Sequence, residues 1–121
     1  LGFNNAKTIL GNFNTTLGPV LAEVTNVDFA YIDGNHSYEA TMRYVDIILP
    51  KMSKNGVIVL DDILWSKEMQ EAWKKIISRN EVVSSLEIRD LGIIFLDEKL
   101  QKQHLTLIPY YLKPWQFGLF M

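Results

Sequence analysis

Cysteine is absent from the 121-residue sequence. Without it, neither a disulfide framework nor a thiolate metal site is possible in this chain. A basic surplus is absent as well, because 12 lysine and arginine residues stand against 14 aspartate and glutamate residues and the formal net charge is −2. Since proteins that bind nucleic acid usually carry excess positive charge, no nucleic-acid partner is expected.

Long apolar runs are missing too. No uninterrupted apolar stretch approaches the roughly 20 residues that a membrane-spanning helix needs. The first ten residues, LGFNNAKTIL, lack the basic and then apolar layout of a signal peptide. We therefore expect no membrane partner and a reducing, cytoplasmic location. The length and a hydrophobic content of 48% suit one small globular domain.

Two short apolar runs dominate the middle of the sequence. Residues 27–32 read VDFAYI and residues 57–60 read VIVL, and both are rich in β-forming side chains. A run without polar alternation is typical of a strand that is covered on both faces, as in a parallel sheet. Between them, Ser37 is a suitable helix N-cap and apolar residues follow at helical spacing. The pattern therefore predicts a strand, a helix and a second strand in parallel.

The rest of the chain continues the alternation of strands and helices. Ser66 is a second candidate N-cap. The remaining predicted segments are a strand at 6–10, a helix at 16–24, strands at 82–88 and 92–96, and a further strand at 105–108. The order predicts an α/β fold with a mostly parallel sheet and an antiparallel C-terminal strand, because the last strands are too close in sequence for a parallel crossover.

Acidic residues stand directly after both central strands. Asp33 follows the first, and Asp61 and Asp62 follow the second. Ligands of open α/β sheets bind outside the carboxyl ends of the strands, and strands joined by one helix are usually neighbours. A carboxylate is costly to bury without a partner, so these acids need water, donors or a cation. The alternative is that they serve only as turn formers or helix caps.

The run IDGNHSYE at 32–39, then Asp46, Pro50, GVIVL and the Asp-Asp pair, resembles the second half of a class I S-adenosylmethionine-dependent methyltransferase. It is similar to the small-molecule O-methyltransferase-like group with the signature I-D-G-(D/N)-H-x-Y-E. The resemblance covers nearly all of residues 1–109 and implies a Rossmann-like fold there. Residues 110–121 form an aromatic C-terminal tail outside it.

This resemblance implies roles for matched positions. Gly11, Asn12 and Phe13 would lie beside the adenine of S-adenosylmethionine, and Asp33 would lie at the boundary between cofactor and substrate. In the metal-dependent members, acids at these strand ends hold a divalent cation, which implies Asp33, Asp61 and Asp62 as ligands. Oxygen ligands suit Mg²⁺, which would hold a substrate hydroxyl and lower its pKa.

His36 is the alternative catalytic residue, together with Asp33. Its neutral imidazole is able to take the proton from a substrate hydroxyl. The structural alternative is that His36 only forms hydrogen bonds within the turn and helps to start the helix. The residues alone leave these possibilities open.

The family's glycine-rich loop is not recognisable, since no G-x-G pattern follows a strand in this sequence. The resemblance therefore implies a truncated fold that lacks the first two strands, so that this chain alone binds the cofactor weakly and is inactive. Without those strands the edge at 27–32 would be exposed, and a homo-oligomer through that edge is expected. The alternatives to methyl transfer are a non-catalytic interaction or assembly module of the same fold, and another nucleotide-binding α/β enzyme.

Overall fold

A computed structural model describes Gly2 and residues 4–108. The aromatic tail predicted at 110–121 lies outside the described residues. The elements, in chain order, are helix α1 (Phe13–Ala22), strand β1 (Val27–Ile32), helix α2 (Tyr38–Ile48), a 3-10 helix (Leu49–Lys51), strand β2 (Met52–Leu60), helix α3 (Lys67–Ile77) and strands β3 (Ser84–Ile88), β4 (Leu91–Phe95) and β5 (Gln103–Leu107).

The five described strands form one sheet in the order β1-β2-β4-β3-β5. Strands β1 and β2 are parallel, β4 is antiparallel to both of its neighbours, and β5 is parallel to β3. Four strands therefore run in one direction and β4 runs against them. This confirms the predicted α/β fold with a mostly parallel sheet and an antiparallel strand near the C-terminal end.

The hydrophobic core lies between the sheet and the helices. Ile58 and Ile94 from the sheet share one buried cluster with Val45 of α2 and with Trp73 of α3. The indole of Trp73 lies so close to Gly92 that a Cβ on this glycine would be 2.6 Å from the ring. Strand β4 therefore needs glycine here for the helix to approach the sheet.

Serine side chains begin two of the helices, as predicted. The Ser37 hydroxyl accepts a hydrogen bond from the Ala40 amide at the start of α2, and the Ser66 hydroxyl accepts one from Met69 at the start of α3. These bonds satisfy amides that have no partner within the helix. The helices thereby start directly after the loops that follow β1 and β2, where the predicted site residues lie.

Two local predictions were wrong. Residues 6–10 form no strand and are exposed, because no described strand lies beside them to supply main-chain hydrogen bonds. Strand β2 begins at Met52 rather than at 57, and its register with β1 jumps from Val27 opposite Met52 to Phe29 opposite Val57. Asn55 and Gly56, which favour a turn, lie inside this irregularity, where they bend the strand instead of preceding it.

No helix in the described part of the chain combines the length and the apolar character needed to span a bilayer.

Candidate active site

Three predicted site residues meet at the carboxyl ends of β1 and β2. The imidazole Nε2 of His36 lies 3.6 Å from Oδ2 of Asp62 and 3.9 Å from Oδ1 of Asp33. One ligand atom of each residue lies within 4.8 Å of the others. His36 and Asp62 are partly buried and Asp33 is exposed, so the group opens to solvent on one side.

Strand pairing explains why residues from two loops meet. Ile32 and Leu60 are partners at the ends of the parallel strands β1 and β2, and the Asp61 amide donates a 3.0 Å hydrogen bond to the Ile32 carbonyl. The chain leaves both strands at the same rim, which brings Asp33 close to Asp62. Asp62 has a φ of 55°, a left-handed conformation that aspartate tolerates better than most residues.

Asp61, the third predicted metal ligand, lies outside the group formed by Asp33, His36 and Asp62. Its Oδ2 accepts a 2.5 Å hydrogen bond from the hydroxyl of Tyr31, and its Oδ1 accepts one from the amide of Asp62. The described residues that form a cluster with metal-ligand spacing are Asp33, His36 and Asp62. The adjacent acids therefore have different environments: Asp62 faces the imidazole and Asp61 faces the tyrosine.

Tyr31 is a site residue that the sequence reasoning missed. Its hydrogen bond to Asp61 raises its pKa to about 12, and desolvation and the negative charges of Asp61, Asp33 and Asp62 add to the rise. The sequence did place Tyr31 near the carboxyl end of the predicted strand, two positions before Asp33, but it did not indicate Asp61 as its partner.

We expect Asp61→Asn to lower the pKa of Tyr31 from about 12 towards its ordinary value near 10. The raised pKa belongs to the folded state, so its contribution to stability is complete below about pH 10 and is lost as the pH rises through about 12. Nuclear magnetic resonance of ring-labelled tyrosine measures the titration, and Tyr31→Phe assigns the signal among the five tyrosines. A wild-type Tyr31 that titrates near 10 would contradict the expected interaction.

The turn that contains His36 is organised by the residues on either side of it. Ser37 caps α2, and the Asn35 side chain accepts a 3.1 Å hydrogen bond from the Ser37 amide. These two residues organise the turn, while the imidazole lies beside the carboxylates. The ring of Trp65 lies next to it, with centroids 5.8 Å apart and an interplanar angle of 37°.

The residues expected beside the adenine precede and begin α1. Asn12 is the helix N-cap, and its Oδ1 accepts a 2.9 Å hydrogen bond from the Asn14 amide. A Cβ on Gly11 would lie 2.5 Å from Thr16, so a glycine is needed before this cap. The Phe13 ring is 44% exposed, and it would contact a Cβ placed on Gly34, the residue after Asp33. The structure therefore brings Phe13 to the site and gives Gly11 and Asn12 local structural roles.

A comparison with known protein families identifies the family to which this chain belongs. A family model described as a methyltransferase domain matches residues 3–63, which is half of the chain. The matched part contains α1, β1, α2 and β2 with all of the acids and the histidine described above. Neither the curated proteins nor the solved structures contain a match to the chain. The match over these elements shows that the chain belongs to the methyltransferase domain family.

Proposed function

We propose that the protein transfers a methyl group from S-adenosylmethionine to a hydroxyl group of a small molecule. The observation that carries the proposal is the convergence of Asp33, His36 and Asp62 at the carboxyl ends of two neighbouring parallel strands. This is the position at which open α/β sheets bind their ligands. A base between two acids at this rim is suited to remove the proton of a hydroxyl acceptor.

The residues at the rim fit S-adenosylmethionine in their chemistry. The half-exposed ring of Phe13 offers an apolar face for adenine, and the exposed carboxylate of Asp33 accepts hydrogen bonds from polar groups of a ligand. When bound, S-adenosylmethionine supplies an electrophilic methyl group. Because methyl transfer is an in-line displacement, the task of the protein residues is to position the acceptor and to receive its proton.

His36 is the base in this proposal. Its Nε2 faces the two carboxylates, and it would take the proton of the acceptor hydroxyl. The negative charges of Asp33 and Asp62, both within 4 Å, would then stabilise the positive charge on the imidazole. General-base catalysis of this kind typically contributes about 10²–10⁴-fold to the rate.

A divalent cation is the second route to the same deprotonation, and the close spacing of the three ligand atoms supports it. Asp33 and Asp62 offer the oxygen ligands that Mg²⁺ prefers, whereas the imidazole of His36 suits transition metals better. Asp61 already accepts hydrogen bonds from Tyr31 and from a backbone amide. A cation at this site would lower the pKa of a bound hydroxyl.

Two exposed apolar side chains, Trp65 beside His36 and the adjacent Leu64, favour an aromatic or otherwise apolar substrate. Trp65 is 71% exposed although its ring contacts the imidazole, and the preceding Leu64 is also exposed. Exposed tryptophan next to polar catalytic groups provides a large stacking surface for a planar ligand. A small phenol is therefore our preferred acceptor class.

The proposal is tested by transfer of a labelled methyl group from S-adenosylmethionine to a panel of phenols, alcohols and amines. We expect the label to appear on phenols. We also expect little transfer by the 121 residues alone, and more by a chain extended at its N-terminus by a strand and a G-x-G loop. Chelation of divalent cations during the assay separates the two deprotonation routes, since only the cation route is then lost. Transfer to amines alone, or none in the longer chain, would refute oxygen methylation.

We also propose that the protein associates with a second copy of itself. Support comes from β1, which has a neighbour on one side only among the described strands, so its outer main-chain groups are available to pair with a second copy. Association is compatible with catalysis, and it is also what the alternative function as an assembly module would require.

A further inference from the structure

Asn55 differs from the other asparagines of the sequence because a glycine, Gly56, follows it. A glycine in this position has no side chain to hinder its backbone nitrogen, and its backbone is free to adopt unusual conformations. That nitrogen therefore approaches the carbonyl carbon of the preceding asparagine side chain with little hindrance. The other seven asparagines precede larger residues: Asn4, Asn5, Asn12, Asn14, Asn26, Asn35 and Asn80.

The backbone at Asn55 is not held in a regular ladder. Strand β2 pairs with β1 at Met52 and then at Val57, and its register with β4 also begins at Val57. Residues 53–55 therefore have no register partner in either neighbouring strand. A regular ladder keeps the backbone extended and its amides in hydrogen bonds, which slows attack by a backbone nitrogen on a side chain. This restraint is interrupted at Asn55.

The side chain of Asn55 is exposed and lies at an open cavity of about 310 Å³. The other residues that line the cavity are charged: Lys54, Asp97, Glu98 and Lys99. The Asn12 and Asn35 side chains accept hydrogen bonds from backbone amides. Within residues 4–108, no hydrogen bond of this kind holds the side chain of Asn55. Its amide is therefore accessible to water and able to change its orientation.

The fold itself requires the glycine at position 56. A Cβ on Gly56 would lie 2.7 Å from Cε of Met52 and 3.0 Å from the carbonyl oxygen of Ser53, closer than side chains normally approach. The Gly56 carbonyl also accepts a hydrogen bond from the Leu96 amide. The bend in β2 therefore keeps beside Asn55 the residue type that hinders attack on its side chain least.

We propose that Asn55 is a site of spontaneous deamidation in the folded protein. The backbone nitrogen of Gly56 forms a bond to Cγ of Asn55, and the side-chain nitrogen leaves as ammonia together with the proton of the backbone amide. Water then opens the resulting cyclic imide. Opening at the side-chain carbonyl gives aspartate, and opening at the main-chain carbonyl gives isoaspartate, in which the main chain runs through the former side chain. Water is the only reactant added, and nothing is oxidised or reduced.

The product differs from the original protein in charge and in the length of its main chain. A neutral amide becomes a carboxylate, so the formal net charge of −2 becomes more negative by one unit. Isoaspartate adds one backbone atom to the part of β2 that is already longer than its partner in β1. Since residues 53–55 have no register partner, we expect the modified chain to stay folded. The proposal is independent of the methyl-transfer chemistry, because Asp61 and Asp62 follow the other end of β2.

Peptide mapping of the full chain during incubation at mildly alkaline pH tests the proposal. Trypsin releases residues 55–67 and 80–89, and both peptides begin with an asparagine that is exposed in the fold. We expect Asn55 to convert at least about fivefold faster than Asn80, because a glutamate follows Asn80. Mass spectrometry measures the gain in mass when an amide becomes an acid, and fragmentation separates isoaspartate from aspartate. A sample digested before incubation corrects for conversion during digestion.

The matched variant is Asn55→Gln, which keeps the amide group but has to close a larger ring. It should lack the acidic form that ion-exchange chromatography detects in the incubated wild type, and circular dichroism establishes that it is folded. Conversion of Asn55 in urea but not in the folded chain would show that β2 protects the side chain and would overturn the proposal. Equal rates at Asn55 and Asn80, an acidic form that persists in Asn55→Gln, or aspartate as the sole product would also overturn it.

Discussion

Replacing His36 with glutamine should lower the rate of methyl transfer by about 10²–10⁴-fold, the range that a general base contributes. Glutamine keeps hydrogen-bonding groups near Asp33 and Asp62, which lie 3.9 Å and 3.6 Å from the imidazole, but it is unable to accept the proton. The measurement is the initial rate of label transfer from S-adenosylmethionine to a phenol, in a chain extended at its N-terminus by a strand and a G-x-G loop.

The chain offers a matched control, since it has only two histidines. His104 lies on β5 and its Nδ1 is 2.8 Å from the Ser85 hydroxyl, far along the strand order from β1. His104→Gln should therefore leave the rate within about twofold, as surface changes away from a site usually do. In His36→Gly, added imidazole should restore part of the lost rate if the ring acts as the base. Full activity of His36→Gln would eliminate the base role, and loss on chelation would then favour the cation.

Replacing Trp73 with alanine should lower the free energy of unfolding by about 3–5 kcal/mol, the usual cost of removing a buried tryptophan. Trp73 is 3% exposed, and its ring fills the space above Gly92. Its indole N–H also donates a hydrogen bond to the carboxylate of Glu87, which would lose this donor. The change acts on the packing that holds α3 against β3 and β4.

Urea denaturation followed by circular dichroism measures this cost at one fixed protein concentration, because association adds to apparent stability. The matched control is Trp65→Ala at the 71% exposed tryptophan, which should change the free energy by roughly 0.5 kcal/mol or less. A loss of less than about 1 kcal/mol in Trp73→Ala would show that this tryptophan is not a core residue.

Several features of the fold were predictable because they depend on neighbours in the chain. Ser37 and Ser66 cap helices in the structure because a serine hydroxyl reaches the amide three residues ahead wherever the helix starts. The apolar run at Val27–Ile32 is a strand with parallel pairing, as predicted. The expected cover on both of its faces is not seen among the described residues, since Phe29 and Tyr31 are exposed. The prediction at residues 6–10 was wrong because a strand also requires a partner that the segment itself does not encode.

The site was predictable only in part. That Asp33 and Asp62 come together follows from the rule that neighbouring parallel strands end at one rim, and this rule operates on sequence order alone. The direction of each carboxylate was not predictable. The Tyr31 hydroxyl turns Asp61 away from the group, and the positive φ of Asp62 helps to define its place beside His36.

The sequence by itself determined the succession of strands and helices, their caps and the acids at the strand ends, because these follow from side-chain periodicity and local hydrogen bonding. Only the tertiary structure decided that His36 lies between Asp33 and Asp62, that Tyr31 engages Asp61, and that Trp73 packs over Gly92. Such features depend on the register between strands and on contacts over distances of a few ångströms, which residues far apart in the chain establish together.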